Sequence, residues 1–302
     1  MMRACLLVVV LVACNGDLQF AEKPGADAVP LSAQDLDLMD NALSAMQARD
    51  YDKVRTTLQP LLSRNPAHAD ALFVAGSAAY ELQMYGDTVR MLSDAIRAKP
   101  VFVKNSSALG FAHHKLGAFD EAHDAFAAIV AEVPGAYKAH YGLGLVALDQ
   151  GRLVPARGHL ERALALQPAY LKARFHTARL LHEEGRLEQA RDALAAVVDE
   201  WPSHEEALYR YARVLAELGQ EADAERVMAR HAEVYAAKGR IGALIASQRA
   251  GQDSAELRQR IVALWLQLGE LSEAHDACSA AAHAFPESQV LADLLERVAS
   301  LR

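Results

Sequence analysis

Apolar and polar positions follow a helical period twice within residues 137–168. One pattern runs from Tyr137 to Asp149 and stops at Gly151; a second starts near Leu153 and runs to about Leu166, short of Pro168. Glycine after a last helical turn supplies the left-handed cap conformation. Proline bars further helix. The spacing therefore predicts two helices of about 13 residues joined by a short turn, a helical hairpin. Each helix is apolar over an arc too broad to face only its partner, so stacking hairpins must bury the rest.

The hairpin recurs with a fixed stride. Pro66, Pro100, Pro134, Pro168 and Pro202 stand 34 residues apart, as do Gly117, Gly151, Gly185 and Gly219, and also Gly76, Gly110 and Gly144. The units are 35–68, 69–102, 103–136, 137–170, 171–204, 205–238 and 255–288. Counting places from the start of each unit, the eighth holds Ala42, Gly76, Gly110, Gly144, Ala178, Ala212 and Val262. The twentieth holds Val54, Thr88, Ala122, Ala156, Ala190, Ala224 and Ala274. Small side chains at both let two helices approach closely. Larger residues fill around them: Tyr51, Tyr85, Phe119, Leu153, Leu187 and Leu271 at the seventeenth, and Leu58, Leu92, Phe126, Leu160, Leu194, Met228 and Cys278 at the twenty-fourth.

These columns resemble the tetratricopeptide repeat, with its 34-residue period, glycine or alanine at place eight, aromatic or leucine at seventeen, alanine at twenty and proline at thirty-two. The resemblance implies an all-α fold, an α-solenoid forming a right-handed superhelix of about seven repeats. Several units depart from it. The first lacks the turn glycine and the second has Gln83 there; the sixth has Glu221 at place seventeen and Ala236 in place of proline. Residues 239–254 are an insertion containing Ile241, Leu244 and Ile245, read as a short additional helix or linker. The domain reading is then repeats one to six over 35–238, the insertion, and a seventh repeat with a capping helix over 255–302.

Ahead of the repeats, Arg3 precedes an apolar run ending Leu11-Val12-Ala13-Cys14. The run is too short to span about 30 Å of hydrocarbon but suits a signal-peptide core. Its end resembles a bacterial lipobox. That resemblance implies removal of residues 1–13, lipid attachment to the Cys14 thiol and acylation of the new amino terminus. Asn15 follows where aspartate typically retains a lipoprotein at the inner membrane, so the implied location is the outer membrane, facing the periplasm. Two prolines and two glycines within 15–33 make residues 14–34 a tether reaching roughly 25 Å.

Composition narrows the function classes. Apolar residues make up 52% of the 302, enough for a large core. The net charge of −8 speaks against nucleic acid as a partner, which needs a cationic face. Three cysteines rule out a disulfide-dense scaffold or a four-thiolate zinc site, and Cys278 occupies a core place as a buried thiol. Gly142-Leu143-Gly144 loosely matches a dinucleotide fingerprint, but both glycines fall inside a first helix rather than between strand and helix. No two of the twelve histidines stand four apart; His113 and His114 are adjacent, and His182 and His204 lack the second histidine of a metalloprotease helix. No catalytic residue, cofactor or metal is assigned, and the chain reads as a non-enzyme.

In the tetratricopeptide family the first helices line a concave groove through places two, five, nine and twelve. Carried onto this chain, those columns give a partner-binding set: Phe73, Tyr80, Lys104, Phe111, His114, Lys138, Tyr141, Lys172, Phe175, Arg179, His182, Tyr209 and Arg213. Aromatic and arginine side chains are good interface anchors, and the basic members suit a carboxylate-bearing segment. The bland alternative is that the rings pack between neighbouring first helices and the lysines are solvated. The implied function is a membrane-anchored scaffold for protein or peptide partners in the bacterial envelope, of the kind serving pilus and secretin assembly or peptidoglycan machinery. The alternative is an accessory subunit of an envelope enzyme, or a metal or small-ligand binder using groove histidines.

Overall fold

The computed structural model describes residues 10–12, 18–20 and 32–301. Val10–Val12 (β1) and Leu18–Phe20 (β2) pair antiparallel, with Val10 opposite Phe20. Cys14 and most of the leader and tether lie outside the described residues. From residue 32 onward every regular element is helical. Contacts divide the chain into two compact units, Met1–Pro168 and Ala169–Arg302.

In the first unit the hairpins are α1 (Ala33–Gln47) with α2 (Tyr51–Arg64), α3 (Ala69–Glu81) with α4 (Tyr85–Ala98), α5 (Ser107–Lys115) with α6 (Phe119–Glu132), and α7 (Tyr137–Asp149) with α8 (Leu153–Leu166). The expected small residues let the partner helix in. A Cβ on Gly76 would stand 2.9 Å from Leu92, and one on Gly144 the same distance from Leu160. Phe126 is the largest of the place-twenty-four residues in this unit. Its ring is accommodated by two glycines, Gly110 on α5 and Gly142 on α7. Gly142 is therefore a packing residue.

The turn glycines do what their place requires. Gly117 and Gly151 adopt φ of 75° and 71°. In the first two hairpins the same backbone conformation is forced on Arg49 (φ 56°) and Gln83 (φ 60°). The turn geometry is thus common to all the units even where glycine is missing, because the helices it joins are packed alike.

The third unit begins differently. Pro100–Asn105 forms a 3-10 helix and α5 starts only at Ser107. Lys104, expected near the start of a first helix, stands on this segment instead. The cause is Val101-Phe102-Val103: the valines are poor helix starters, and Phe102 is buried with its ring 4.6 Å from that of Phe73.

The second unit contains α9 (Leu171–Glu183), α10 (Leu187–Glu200), α11 (Glu205–Glu217), α12 (Glu221–Arg249), α13 (Ala255–Leu268), α14 (Leu271–Ala284) and α15 (Gln289–Ser300). The separate short helix expected within 239–254 is instead the continuation of α12, which runs 29 residues. Ala236 explains this: nothing stops the helix where every preceding unit has proline. The hairpin of α13 and α14 consequently starts at Ala255 rather than directly after residue 238. Val234, Ala237 and Ile241 of α12 bury against Ile261 and Leu268 of α13. The α13–α14 turn lies beside the α10–α11 turn, where the Trp201 indole N–H donates to Glu270 Oε1 over 3.1 Å. The earlier half of α12 is left without a following first helix. Met228, expected in the core column, is exposed for that reason, whereas Leu194 and Cys278 in the same column are fully buried.

Candidate functional site

The groove columns of the first unit separate into buried and accessible members. Phe73 and Tyr141, both at place five, are 3% and 5% exposed and belong to the core. Tyr80 and Phe111 are half-buried. Their centroids are 6.5 Å apart, and Phe111 continues to Tyr141 at 5.8 Å and to the edge of Phe126 at 4.8 Å. A path of rings thus links α3, α5 and α7, tying neighbouring first helices together while presenting part of two rings outward. His114 Nε2 lies 2.6 Å from Asp149 Oδ2, bridging α5 to α7. The Lys138 ammonium sits 5.7 Å from the centroid of Tyr137, and Lys104 is exposed.

In the second unit Phe175 is 2% exposed, covered by His204 at 4.7 Å. The pair repeats the relation of Phe73 to Phe102: in both, a place-five ring is capped by the residue 29 positions later. Place five therefore serves packing in these repeats. Tyr209 is the exception, 44% exposed, because the displaced α13 leaves its side of α11 uncovered. Lys172 is exposed.

The remaining cations meet carboxylates of the chain itself. Arg179 Nε donates to Glu183 over 2.8 Å. His182 Nε2 lies 3.1 Å from both oxygens of Glu217, which also accepts from Arg213 over 3.3 Å. The hydrogen bond from His182, then the His182 charge and after it the Arg213 charge, hold the Glu217 carboxyl below the usual carboxylate range. Asp149, Glu183 and Glu217 all stand at place thirteen, one step beyond the groove columns. The expected basic column is thus a ladder of mixed charge. The acids were legible as a column, but their effect depends on the register between neighbouring first helices. His114 reaches Asp149, and His182 reaches Glu217, each across 35 residues.

Two further histidines face one another. His140 Nε2 donates to the Pro134 carbonyl over 3.1 Å, leaving Nδ1 to face His159 Nδ1 at 3.5 Å. Burial, and next the His140 charge, push the His159 pKa down. Among the described residues no group of three or more His, Cys, Asp or Glu side chains is placed to hold a metal. Cys278 is buried, and burial raises its thiol pKa. Among the described residues no helix is long and apolar enough to cross a membrane.

Two tetratricopeptide-repeat family models match the chain, one over residues 39–100 and 108–170, the other over 147–200 and 181–247. Together they cover well over half of it. The chain belongs to the tetratricopeptide-repeat family. Its repeat register, glycine turns and interlocked hairpins are those the family pattern implies. The matches end at 247, so α13–α15 lie beyond the recognised repeats. No curated protein matches the chain. Among solved structures, a tetratricopeptide repeat protein from Parabacteroides merdae is 16% identical, with 88% of this chain and 99% of that one covered and a TM-score of 0.52. A MamA fragment from Desulfovibrio magneticus is 17% identical over 58% of this chain and 99% of that one, at 0.51. A chain of the Cut9–Hcn1 hetero-tetramer of the APC/C is 14% identical over 85% and 48%, at 0.56. These likenesses concern the fold.

Proposed function

We propose that this tetratricopeptide-repeat chain is a non-enzymatic scaffold, anchored through a lipid on Cys14 in the bacterial outer membrane and facing the periplasm, where its first helices take up protein or peptide partners. The observation that carries the binding reading is the half-buried pair Tyr80 and Phe111 on adjacent first helices, with Lys104 in Phe111's own repeat and Lys138 in the next. Partly exposed rings give apolar contact area at low entropic cost, and lysines at the rim steer an acidic segment. The Cys14 assignment is supported by the lipobox-like Leu11-Val12-Ala13-Cys14.

Affinity capture from envelope extract tests the groove. The Lys104→Glu/Lys138→Glu variant leaves the buried rings untouched and is expected to lose the partners the wild-type chain retains. Identical partner sets for the two would remove the groove from the proposal. For the anchor, Cys14→Ser is expected to leave the membrane fraction or to accumulate unprocessed. Acyl label persisting in that variant would remove the lipid.

A further inference from the structure

The eleven residues by which α12 outruns its repeat, 239–249, bring a second pair of walls together. Arg240, Ala243, Leu244 and Ser247 of α12 and Arg260, Ala263, Leu264 and Gln267 of α13 line a cleft of about 440 Å³. On each helix the lining falls at i, i+3, i+4 and i+7, a single face. The residue types repeat as well: Arg240-Ile241 followed by Ala243-Leu244, and twenty residues later Arg260-Ile261 followed by Ala263-Leu264. Ile241 and Ile261 are buried together in the core with Leu244 and Leu264 packed against them, so these leucines floor the cleft and Arg240 and Arg260 stand at its exposed edge.

The charge of this cleft is not balanced from within. Elsewhere in the same unit Arg179, Arg210, Arg213, Arg230 and Arg258 are each paired with a carboxylate. Arg240 and Arg260 are exposed and have no ion pair among the described residues. No acid is among the lining residues. In a chain of net charge −8, two uncompensated guanidiniums over an aliphatic floor are a recognition feature looking for an anion.

We propose that the α12–α13 cleft binds a small aliphatic carboxylate. The guanidiniums take the carboxylate in the planar, two-pronged geometry that arginine favours. Ala243, Leu244, Ala263 and Leu264 cover the aliphatic body, and Ser247 and Gln267 supply neutral hydrogen-bonding groups. The volume falls within the roughly 300–1,000 Å³ of small-molecule sites. Two sources offer the same chemistry: a free fatty or keto acid, and the terminal carboxylate of a polypeptide ending in an aliphatic residue.

Isothermal titration of the full chain with hexanoate, with acetyl-Gly-Leu and its amide, and with hexanol tests the site. Saturable binding of hexanoate or of the free-acid peptide is expected, with the amide and hexanol weaker by roughly tenfold or more. The tighter of the two acids identifies the source. Arg240→Gln and Arg260→Gln are each expected to weaken binding about tenfold and together to abolish it. Both side chains are exposed and unpaired, so unchanged helical circular dichroism should accompany the loss. No saturable binding of either acid, hexanol binding as tightly as hexanoate, or an unaffected double variant would overturn the assignment. The hexanoate–hexanol comparison uses the unaltered chain and decides the matter even if a variant fails to fold.

Discussion

At the scale of single residues, the sign of a substitution depends on which of two costs is larger. Gln83 holds φ at 60°, a conformation that costs a residue with a Cβ about 1–2 kcal/mol. Glycine there relieves that cost but gives the unfolded chain back some entropy, about 0.5–1 kcal/mol. Gln83→Gly is therefore expected to stabilise by roughly 0.5–1 kcal/mol in denaturant melts. The balance runs the other way at Gly142. Alanine gains about 1 kcal/mol of helix propensity, but its methyl would stand 2.4 Å from the ring of Phe126, and that ring already lies where a Cβ on Gly110 of α5 would be 2.6 Å away. Overpacking of that kind costs about 1–3 kcal/mol. Gly142→Ala should destabilise, Phe126→Leu/Gly142→Ala should recover at least about 1 kcal/mol of coupling, and Gly158→Ala, with open space around it, should stabilise by about 1 kcal/mol. Gly142 and Gly158 stand in none of the columns, whereas the places of Gln83, Gly110 and Phe126 were legible in the column pattern. The shared burden of Gly110 and Gly142 was not, because it needs the contact of one ring with two helices.

Among elements, helix starts and stops govern the outcome. His204 caps α11 by accepting the Ala207 N–H on Nδ1 over 3.0 Å, and its ring stands 4.1 Å from that of Trp201. Burial, the largest influence, lowers its pKa below the ordinary 6.5. The unfolded chain then binds more protons than the folded one just below that value. The cap's contribution is complete above about pH 6.5 and is lost as pH falls through the lowered folded value. His204→Asn keeps an acceptor at the cap without a titrating ring. Thermal melts between pH 7.5 and 5 should therefore show a shallower pH slope for that variant, though a lower midpoint at neutral pH from lost ring packing. The stop at the end of a second helix is the proline at place thirty-two, absent only at Ala236 among units one to six. Ala236→Pro is expected to break α12 in its interior, at a cost of about 3 kcal/mol or more, with a visible loss of helical ellipticity. Sequence showed that the stop was missing; it did not show that 239–249 would extend α12, since a run with Ile241, Leu244 and Ile245 suits a new short helix as well as a longer old one.

For the molecule as a whole, the repeats were legible because each contacts its neighbours at fixed offsets, so one period describes many. The last hairpin was legible as a hairpin over 255–288, and α13 and α14 stand there; its seat against α12 was not, since that depends on the summed length of α12 rather than on any local signal. That seat has an electrostatic signature. Glu270 accepts from the Trp201 indole, yet its carboxyl pKa is raised, first by burial and then by the Glu273 charge beside it. A carboxyl with a raised folded pKa makes the folded state bind more protons than the unfolded one, so stability contributed here falls as pH rises from about 4.5 through the raised value. Removing the charge while keeping the acceptor should reverse that. Glu270→Gln retains an oxygen for the Trp201 N–H and relieves the repulsion from Glu273, so it should raise the melting midpoint at pH 7.5 and bring no gain near pH 4.5. Trp201→Phe removes the donor and some ring contact with His204, and should lower the midpoint at both pH values, more at the higher. Should Glu270→Gln instead weaken the protein at pH 7.5, the charge itself holds the α13–α14 turn against the α10–α11 turn. The family pattern would then end in an ionic latch rather than in a hydrogen-bonded and apolar seat.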